Sequence, residues 1–210
     1  FDPVNDHLIL VDQARDPRQL DHVVGAYRLL RWDRAAAFGR YYCDAEYDLG
    51  PLRASGRRLL ELGRSCVDRD CRGGTGMLLL WSGLADYVME HGIEILFGVA
   101  SFHGTDVEAL KLPLSWLHHH HLAPEALRVR SRMPQRMDLV APTDLDRRAA
   151  MKAMPATIVS TTMAGEENQS ASLPVSSTTC NAPTHSTSRA RPMVSIGTLR
   201  VGVSRLCMNF

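Results

Sequence analysis

The chain has 210 residues, of which 45% are hydrophobic, and its 24 Lys plus Arg nearly balance its 23 Asp plus Glu. This length suits one domain with a hydrophobic core, and the balanced charge gives no general affinity for nucleic acid, so we expect no nucleic-acid partner. Because the sequence contains neither a signal-peptide core nor the roughly 20 apolar residues that a membrane span needs, we expect a cytoplasmic protein.

The first predicted elements form an antiparallel hairpin. His7–Val11 and His22–Leu30 have the composition of strands, and the segment between them is rich in Asp, Arg and Pro, as turns are. The basic stretch Leu52–Arg58 predicts a short helix, and the apolar-rich Leu59–Val67 predicts a central strand. Because the chain begins with Phe rather than Met, we expect that a first strand before the hairpin is absent.

A glycine-rich loop separates the central strand from the next predicted helix. Three glycines, at 73, 74 and 76, lie in this loop, and apolar residues then recur at helical spacing over Met77–Glu90 until Gly92 ends the helix. Ile93–Ala100 predicts a second buried strand. The order strand, loop, helix, strand predicts a right-handed crossover between neighbouring strands. We therefore predict an α/β fold with a mixed central β-sheet flanked by helices.

The composition of the chain changes near residue 155. Residues 1–155 contain 9 Ser or Thr, whereas residues 156–210 contain 17 and have neither Trp nor Tyr. Such a segment buries too little apolar surface to offset the entropy cost of ordering it. We expect residues 1–155 to form the domain and residues 156–210 to be an irregular Ser/Thr-rich tail, either disordered or produced by a frameshift.

Five blocks of sequence resemble the ornithine N-acyltransferases, which belong to the Gcn5-related acyltransferases. The blocks are VGAYRLL from Val24, LELGRSCV from Leu60, LWSGL from Leu80, GVASF from Gly98 and LHHHHLAP from Leu117. The spacing of Glu61, Arg64 and Val67 is also similar to that of the acyl-homoserine-lactone synthases. The resemblance ends near Pro155, where family members continue into further strands, so we expect these C-terminal strands to be absent.

The resemblance implies a particular reaction. A 3-hydroxyacyl group would pass from acyl carrier protein to the α-amino group of L-ornithine and give lyso-ornithine lipid, with no cofactor. The implied partners are acyl carrier protein and L-ornithine, and the amphiphilic product implies peripheral contact with the inner face of a membrane. Two alternatives stay open: an acyltransferase with a different amine acceptor, as in homoserine-lactone synthesis, and a non-catalytic truncated remnant.

Acyl transfer to an amine needs an unprotonated nitrogen and a stabilised carbonyl oxygen. Glu61, a carboxylate in an apolar strand, is the candidate catalytic residue that orients or deprotonates the amine. The alternative is a structural ion pair with Arg28 or Arg64, since a buried carboxylate needs partners. These two arginines are candidates for binding the substrate carboxylate, with structural ion pairing as their alternative. Ser101, in the fourth block, is a further candidate substrate-binding residue.

The glycine loop is the candidate site for the phosphate of phosphopantetheine, because free N–H groups at a helix N-terminus favour anions. Cys71 departs from the usual first residue of such loops, which favours a carrier-protein donor over coenzyme A. The proposed phosphopantetheine-binding residues are Arg72, Gly73, Gly74 and Gly76.

Two arginine clusters are candidates for docking an acidic carrier protein, with a solvated surface as the alternative. Four consecutive imidazoles, at 118–121, cannot all point one way, so we expect packed and exposed histidines there rather than a metal site. We expect Cys66 to lie in the core because no neighbouring group in the sequence activates it. The clustered arginines are Arg53, Arg57 and Arg58, then Arg128, Arg130, Arg132 and Arg136.

Overall fold

The computed structural model describes residues 2–72, 75–100, 102, 106–134 and 137–154. The expected tail, residues 156–210, lies outside the described residues. The strands are β1 (Asp6–Val11), β2 (Val23–Arg31), β3 (Tyr47–Asp48), β4 (Leu59–Val67), β5 (Ile95–Gly98) and β6 (Arg130–Ser131). The α-helices are α1 (Trp32–Phe38), α2 (Gly50–Ala54), α3 (Thr75–His91), α4 (Val107–His121) and α5 (Arg147–Ala153).

A four-stranded mixed sheet in the order β1-β2-β4-β5 organises the fold. Strand β2 pairs antiparallel with both β1 and β4, and β4 pairs parallel with β5. The predicted hairpin and the predicted crossover between neighbouring strands are therefore confirmed. A second, two-stranded sheet joins β3 to β6.

Helix α3 makes the crossover from β4 to β5 and covers one face of the sheet. Its residues Leu80, Leu84 and Val88 follow one another at four-residue spacing and are all buried. Leu84 and Val88 pack in one cluster with Leu60, Leu62, Tyr27 and other residues of the sheet. Gly92 has φ of +59°, in the left-handed region that glycine adopts without steric cost, and it ends the helix as predicted.

The opposite face of the sheet is covered by the segments that connect β2 to β4. Leu30 of β2 and Leu59 of β4 share a buried cluster with Ile95 and Phe97 of β5. Tyr41 closes this cluster, with its ring edge-on to Phe97 at a centroid distance of 5.0 Å. The sequence reasoning missed α1 in this region and extended α2 into the loop before β4.

Strand β4 carries an irregularity in its second half. Ala26 pairs with Cys66 and Arg28 with Gly63, so three steps along β4 oppose two steps along β2. This extra residue is a β-bulge, and Arg64 within it has φ of +54°. A left-handed conformation is costly for a residue that has a Cβ, so the surrounding ladder must hold it in place.

A polar network ties β1, β2 and α3 together. The Tyr87 hydroxyl of α3 donates to Asp6 Oδ2 of β1 at 2.6 Å, and Arg31 Nη1 of β2 lies 3.4 Å from the same oxygen. Arg31 also pairs with Asp33 at 3.1 Å. Burial, together with the neighbouring Asp6 carboxylate, raises the pKa of Tyr87, so this phenol stays a donor.

Helices α4 and α5 pack together at one side of the domain. Leu117 of α4 and Ala150 of α5 are fully buried in a shared cluster. The four histidines form the last turn of α4, where His120 stacks on Trp116 at a centroid distance of 3.9 Å and His119 Nε2 lies 3.1 Å from the Val140 carbonyl oxygen.

Within the described residues, no three or more His, Cys, Asp or Glu side chains come together in a way that could hold a metal ion. The same part of the chain has no helix that is both long enough and apolar enough to cross a membrane.

Candidate active site

The candidate site lies where the carboxyl ends of β4 and β5 meet the N-terminus of α3. Parallel strands joined by a helix place these ends at the same edge of the sheet. The free N–H groups of the first helical turn also lie at this edge. Backbone donors from a strand and from a helix are thus brought together.

The two parallel strands pair over only four residues. The last pair joins Leu62 to Gly98, whereas β4 continues on to Val67 with β2 as its neighbour on the other side. Among the described residues, the β5 side of Gly63–Val67 therefore has no strand partner. A notch results, in which backbone groups of β4 can meet a ligand.

Arg28 lies next to this notch. It pairs with Gly63 across the ladder, and a Cβ built on Gly63 would lie 3.4 Å from Arg28 Nη2 and 3.6 Å from its Nε. The guanidinium therefore extends over the glycine. The Tyr42 ring flanks it, with Arg28 Cζ 5.3 Å from the ring centroid, a cation–π distance.

Glu61 is 4% exposed, and its carboxylate binds the backbone at the start of the short 3-10 helix Cys43–Ala45. Its Oε2 accepts from the Tyr42 N–H at 2.8 Å, and its Oε1 accepts from the Cys43 N–H at 2.7 Å. These amides satisfy the buried charge, as its location in an apolar strand required. The catalytic role that the sequence suggested for Glu61 stays a prediction.

Glu61 also affects the pKa of the neighbouring Cys43 thiol. This thiol is buried, and burial followed by the negative charge of Glu61 raises its pKa. It is therefore a poor nucleophile at neutral pH.

The expectation that Cys66 lies in the core was wrong, because Cys66 is exposed on β4. Past the bulge, its side chain lies beside Ala26 rather than beneath α3.

The other predicted site residues divide into three groups. Arg64 is exposed on the bulge. Arg72 lies before α3 and donates from Nε to the Val67 carbonyl oxygen at 3.0 Å, and Gly76 lies in the first turn of that helix. Gly73, Gly74 and Ser101 lie outside the described residues.

Gly76 allows the helix to start close to the end of β4. A Cβ at this position would lie 2.8 Å from the carbonyl oxygen of Cys71 and 3.2 Å from Val67 Cγ1. This close approach brings the N-terminus of α3 to the notch.

Tyr42 is the residue of this arrangement that sequence reasoning missed. It lies far along the chain from both β2 and β4, and the only available signal was its place in the aromatic pair Tyr41-Tyr42 within a polar stretch.

Arg53, one of the clustered arginines, has partners within the domain. Its guanidinium forms an ion pair with Asp44 and lies 5.5 Å from the Tyr41 ring centroid.

Comparison with known proteins agrees with this geometry. The family model of the acetyltransferase (GNAT) domain matches residues 1–82. A curated L-ornithine N(alpha)-acyltransferase of Rhodobacter capsulatus is 72% identical over 155 residues, which are 74% of this chain and 60% of the relative. The chain therefore contains a GNAT domain, and over 74% of its length it is similar to this acyltransferase.

Two further relatives with the same name support this placement. The protein of Agrobacterium fabrum is 40% identical over 160 residues, and that of Rhizobium meliloti is 37% identical over 159 residues. Each match covers 74% of this chain and 54% of the relative. The GNAT chain thus spans between about half and three fifths of the length of these curated relatives. No solved structure matches it significantly.

Proposed function

We propose that this GNAT chain transfers a 3-hydroxyacyl group from acyl carrier protein to the α-amino group of L-ornithine and yields lyso-ornithine lipid. The observation that carries the proposal is the 72% identity to the Rhodobacter capsulatus L-ornithine N(alpha)-acyltransferase. The notch between β4 and β5, beside an arginine and a helix N-terminus, supports it from the geometry.

The reaction joins the amine nitrogen to the thioester carbonyl carbon and breaks the C–S bond. The acceptor amine loses a proton, the carrier thiol leaves and gains one, and no other co-reactant is needed. The carbonyl oxygen becomes an oxyanion in between. In our proposal this oxyanion lies in the notch, where backbone N–H groups of Gly63–Val67 on the β5 side are available to it.

The acyl donor would bring its phosphopantetheine phosphate to the N-terminus of α3. Gly76 keeps this helix close to β4, and the exposed Arg72 adds a positive charge to the helix dipole. Gly73 and Gly74 complete the proposed loop in sequence. The proposal needs no metal ion and no redox cofactor, because the thioester itself supplies the activated acyl group.

The acceptor would be held through its α-carboxylate by Arg28. A guanidinium presents planar donors that match the two oxygens of a carboxylate. From its place over Gly63, Arg28 lies beside the proposed oxyanion site. An acceptor that lacks a carboxylate would therefore bind more weakly. Arg64 and Ser101 remain proposed contributors to the same substrate.

The carrier protein is acidic, so a basic surface on the GNAT chain would receive it. Arg57 and Arg58 are exposed in the loop before β4, near the C-terminal end of α3, and form a candidate surface for a part of the carrier away from its phosphopantetheine. Charge reversal at Arg57 is expected to weaken carrier-protein binding and its salt dependence, because rim charges act mainly on association. Unchanged binding in this variant would refute this surface. Contact of the amphiphilic product with a membrane remains part of the proposal.

A reconstituted assay tests the function directly. The chain is mixed with 3-hydroxyacyl carrier protein and L-ornithine, and mass spectrometry follows the acylated product while a thiol reagent follows release of the free carrier. Homoserine and lysine serve as alternative acceptors. We expect ornithine-dependent thiol release with one acyl product per thiol. Release with another amine only, or with none of them, would contradict the proposal.

A further inference from the structure

The buried carboxylate of Glu61 lies at one end of a chain of contacts that ends at Arg28. Its two oxygens bind the successive N–H groups of Tyr42 and Cys43. Two charge-assisted hydrogen bonds to adjacent amides fix the position of that backbone relative to β4. The position of this backbone in turn determines the position of the Tyr42 ring.

The Tyr42 ring and Gly63 hold the Arg28 guanidinium from two sides. The ring centroid lies 5.3 Å from Arg28 Cζ, and the space that a Cβ of Gly63 would occupy lies 3.4 Å from Nη2. Long arginine side chains lose considerable rotamer entropy when they are ordered. A guanidinium that is already held between a ring and a glycine has lost part of that freedom before any ligand arrives.

Glu61 itself is further from the notch than Arg28 is. Glu61 pairs with Leu30 on one side and Phe97 on the other, and both neighbours are buried. Gly63, the partner of Arg28, is the first residue of β4 beyond the last pair with β5. The carboxylate thus lies within the continuous sheet, and the guanidinium lies at its open end.

We propose that Glu61 and Tyr42 are positioning residues that set the guanidinium of Arg28 for the carboxylate of the amino-acid acceptor. This inference rests on the proposed function and specifies its acceptor class as an amine with a free α-carboxylate. Glu61 acts through the backbone of the Tyr42–Cys43 segment, and Tyr42 acts through its ring. The affinity for the acceptor, rather than the acyl-transfer step, depends on both.

Kinetics of Tyr42→Ala, Tyr42→Phe and Glu61→Gln test the proposal. Loss of the ring contact in Tyr42→Ala is expected to raise KM for ornithine about fivefold to tenfold and to change kcat less than twofold. Tyr42→Phe keeps the ring and should have the same KM for ornithine as the wild type. Tyr42→Ala should also lose much of the discrimination between ornithine and ornithinamide, which lacks the carboxylate.

Glu61→Gln distinguishes a positioning role from a base. The amide side chain keeps one acceptor oxygen but turns an NH₂ group towards a backbone N–H, so the segment shifts while the fold is retained. We expect a higher KM for ornithine and an unchanged shape of the pH profile of kcat. A fall in kcat of about a hundredfold with KM unchanged, and loss of the acidic limb, would overturn the proposal in favour of a general base.

A measurement without turnover separates this inference from the proposed function. The Nε–H signal of Arg28, assigned by its loss in Arg28→Lys, reports in nitrogen-15 spectra whether the guanidinium is held. We expect a sharp signal in the wild type and Tyr42→Phe, and a broadened or shifted one in Tyr42→Ala and Glu61→Gln. A signal unchanged in both latter variants overturns the positioning role. Absence of ornithine acylation by a wild type with the sharp signal refutes only the function.

Discussion

Substitution of Gly98 by Ala should separate the two parallel strands at the notch. The new Cβ would lie 2.4 Å from the Leu62 carbonyl oxygen, whereas real Cβ contacts essentially never fall below 3.0 Å, so the strands must part by at least 0.6 Å. The obstacle is backbone, which cannot rotate away as a side chain does. Overpacking of this kind costs about 1–3 kcal/mol, and loss of one hydrogen bond at the end of the ladder adds about 1 kcal/mol.

We therefore expect Gly98→Ala to lower the free energy of unfolding by about 3 kcal/mol. With a urea m-value of about 2 kcal/mol per molar, the unfolding midpoint would fall by roughly 1.5 M. Gly63→Ala is the matched control in the adjacent strand. Its Cβ would meet Arg28 Nη2 at an ordinary 3.4 Å, so a change below about 0.5 kcal/mol is expected. A midpoint for Gly98→Ala within 0.2 M of the wild type, by the same m-value, would refute the steric argument.

Three further outcomes are expected. Tyr87→Phe removes the hydrogen-bond donor to Asp6, so the half-buried carboxylate loses a hydrogen bond. The free energy of unfolding, measured by urea titration, should fall by about 1–2 kcal/mol. A stabilised variant would contradict the network. Alkylation followed by mass spectrometry should modify exposed Cys66 long before buried Cys43, whose pKa is raised by burial and then by Glu61; equal rates would contradict this. The N–H of Asp70, then Arg15, lowers the pKa of Asp68. This group therefore stabilises the fold above its unfolded pKa of about 4, and stability is lost as pH falls through the lower folded value. Asp68→Asn should flatten this loss in unfolding measured from pH 6 to 2, and an unchanged slope would argue against it.

The central part of the fold could be predicted because its signals are local. Strand β4 was predicted with its observed bounds, Leu59–Val67, since an apolar run lies between a basic loop and a glycine-rich turn. Helix α3 was predicted two residues short at its start and one at its end, as terminal turns have weak sequence signals. Helix α1 was missed, because Trp32 follows β2 directly and no turn residue separates the two elements.

The candidate site could be predicted only in part because its contacts are long-range. The sequence indicated that Glu61 needs a partner and suggested an arginine for that role. The partners that the structure provides are backbone amides, 19 and 18 residues away, which have no residue-specific signature. The holding of Arg28 by Tyr42 was equally hidden, since it depends on the path of the chain between β2 and β4.

The bulge at Arg64 also determines which side chains after it face α3. Before the bulge, Leu60 and Leu62 point to that helix, and uninterrupted alternation would assign Cys66 to it as well and turn Val67 away. The inserted residue reverses this order, so that Val67 packs with Leu80 beneath the helix. If the bulge straightened with Arg64 retained, the left-handed backbone would be relieved, but a cysteine would replace the valine beneath α3 and the valine would be exposed to water. The strained residue therefore sets the phase of the strand, because Val67 faces α3 only while the extra residue is accommodated in the bulge.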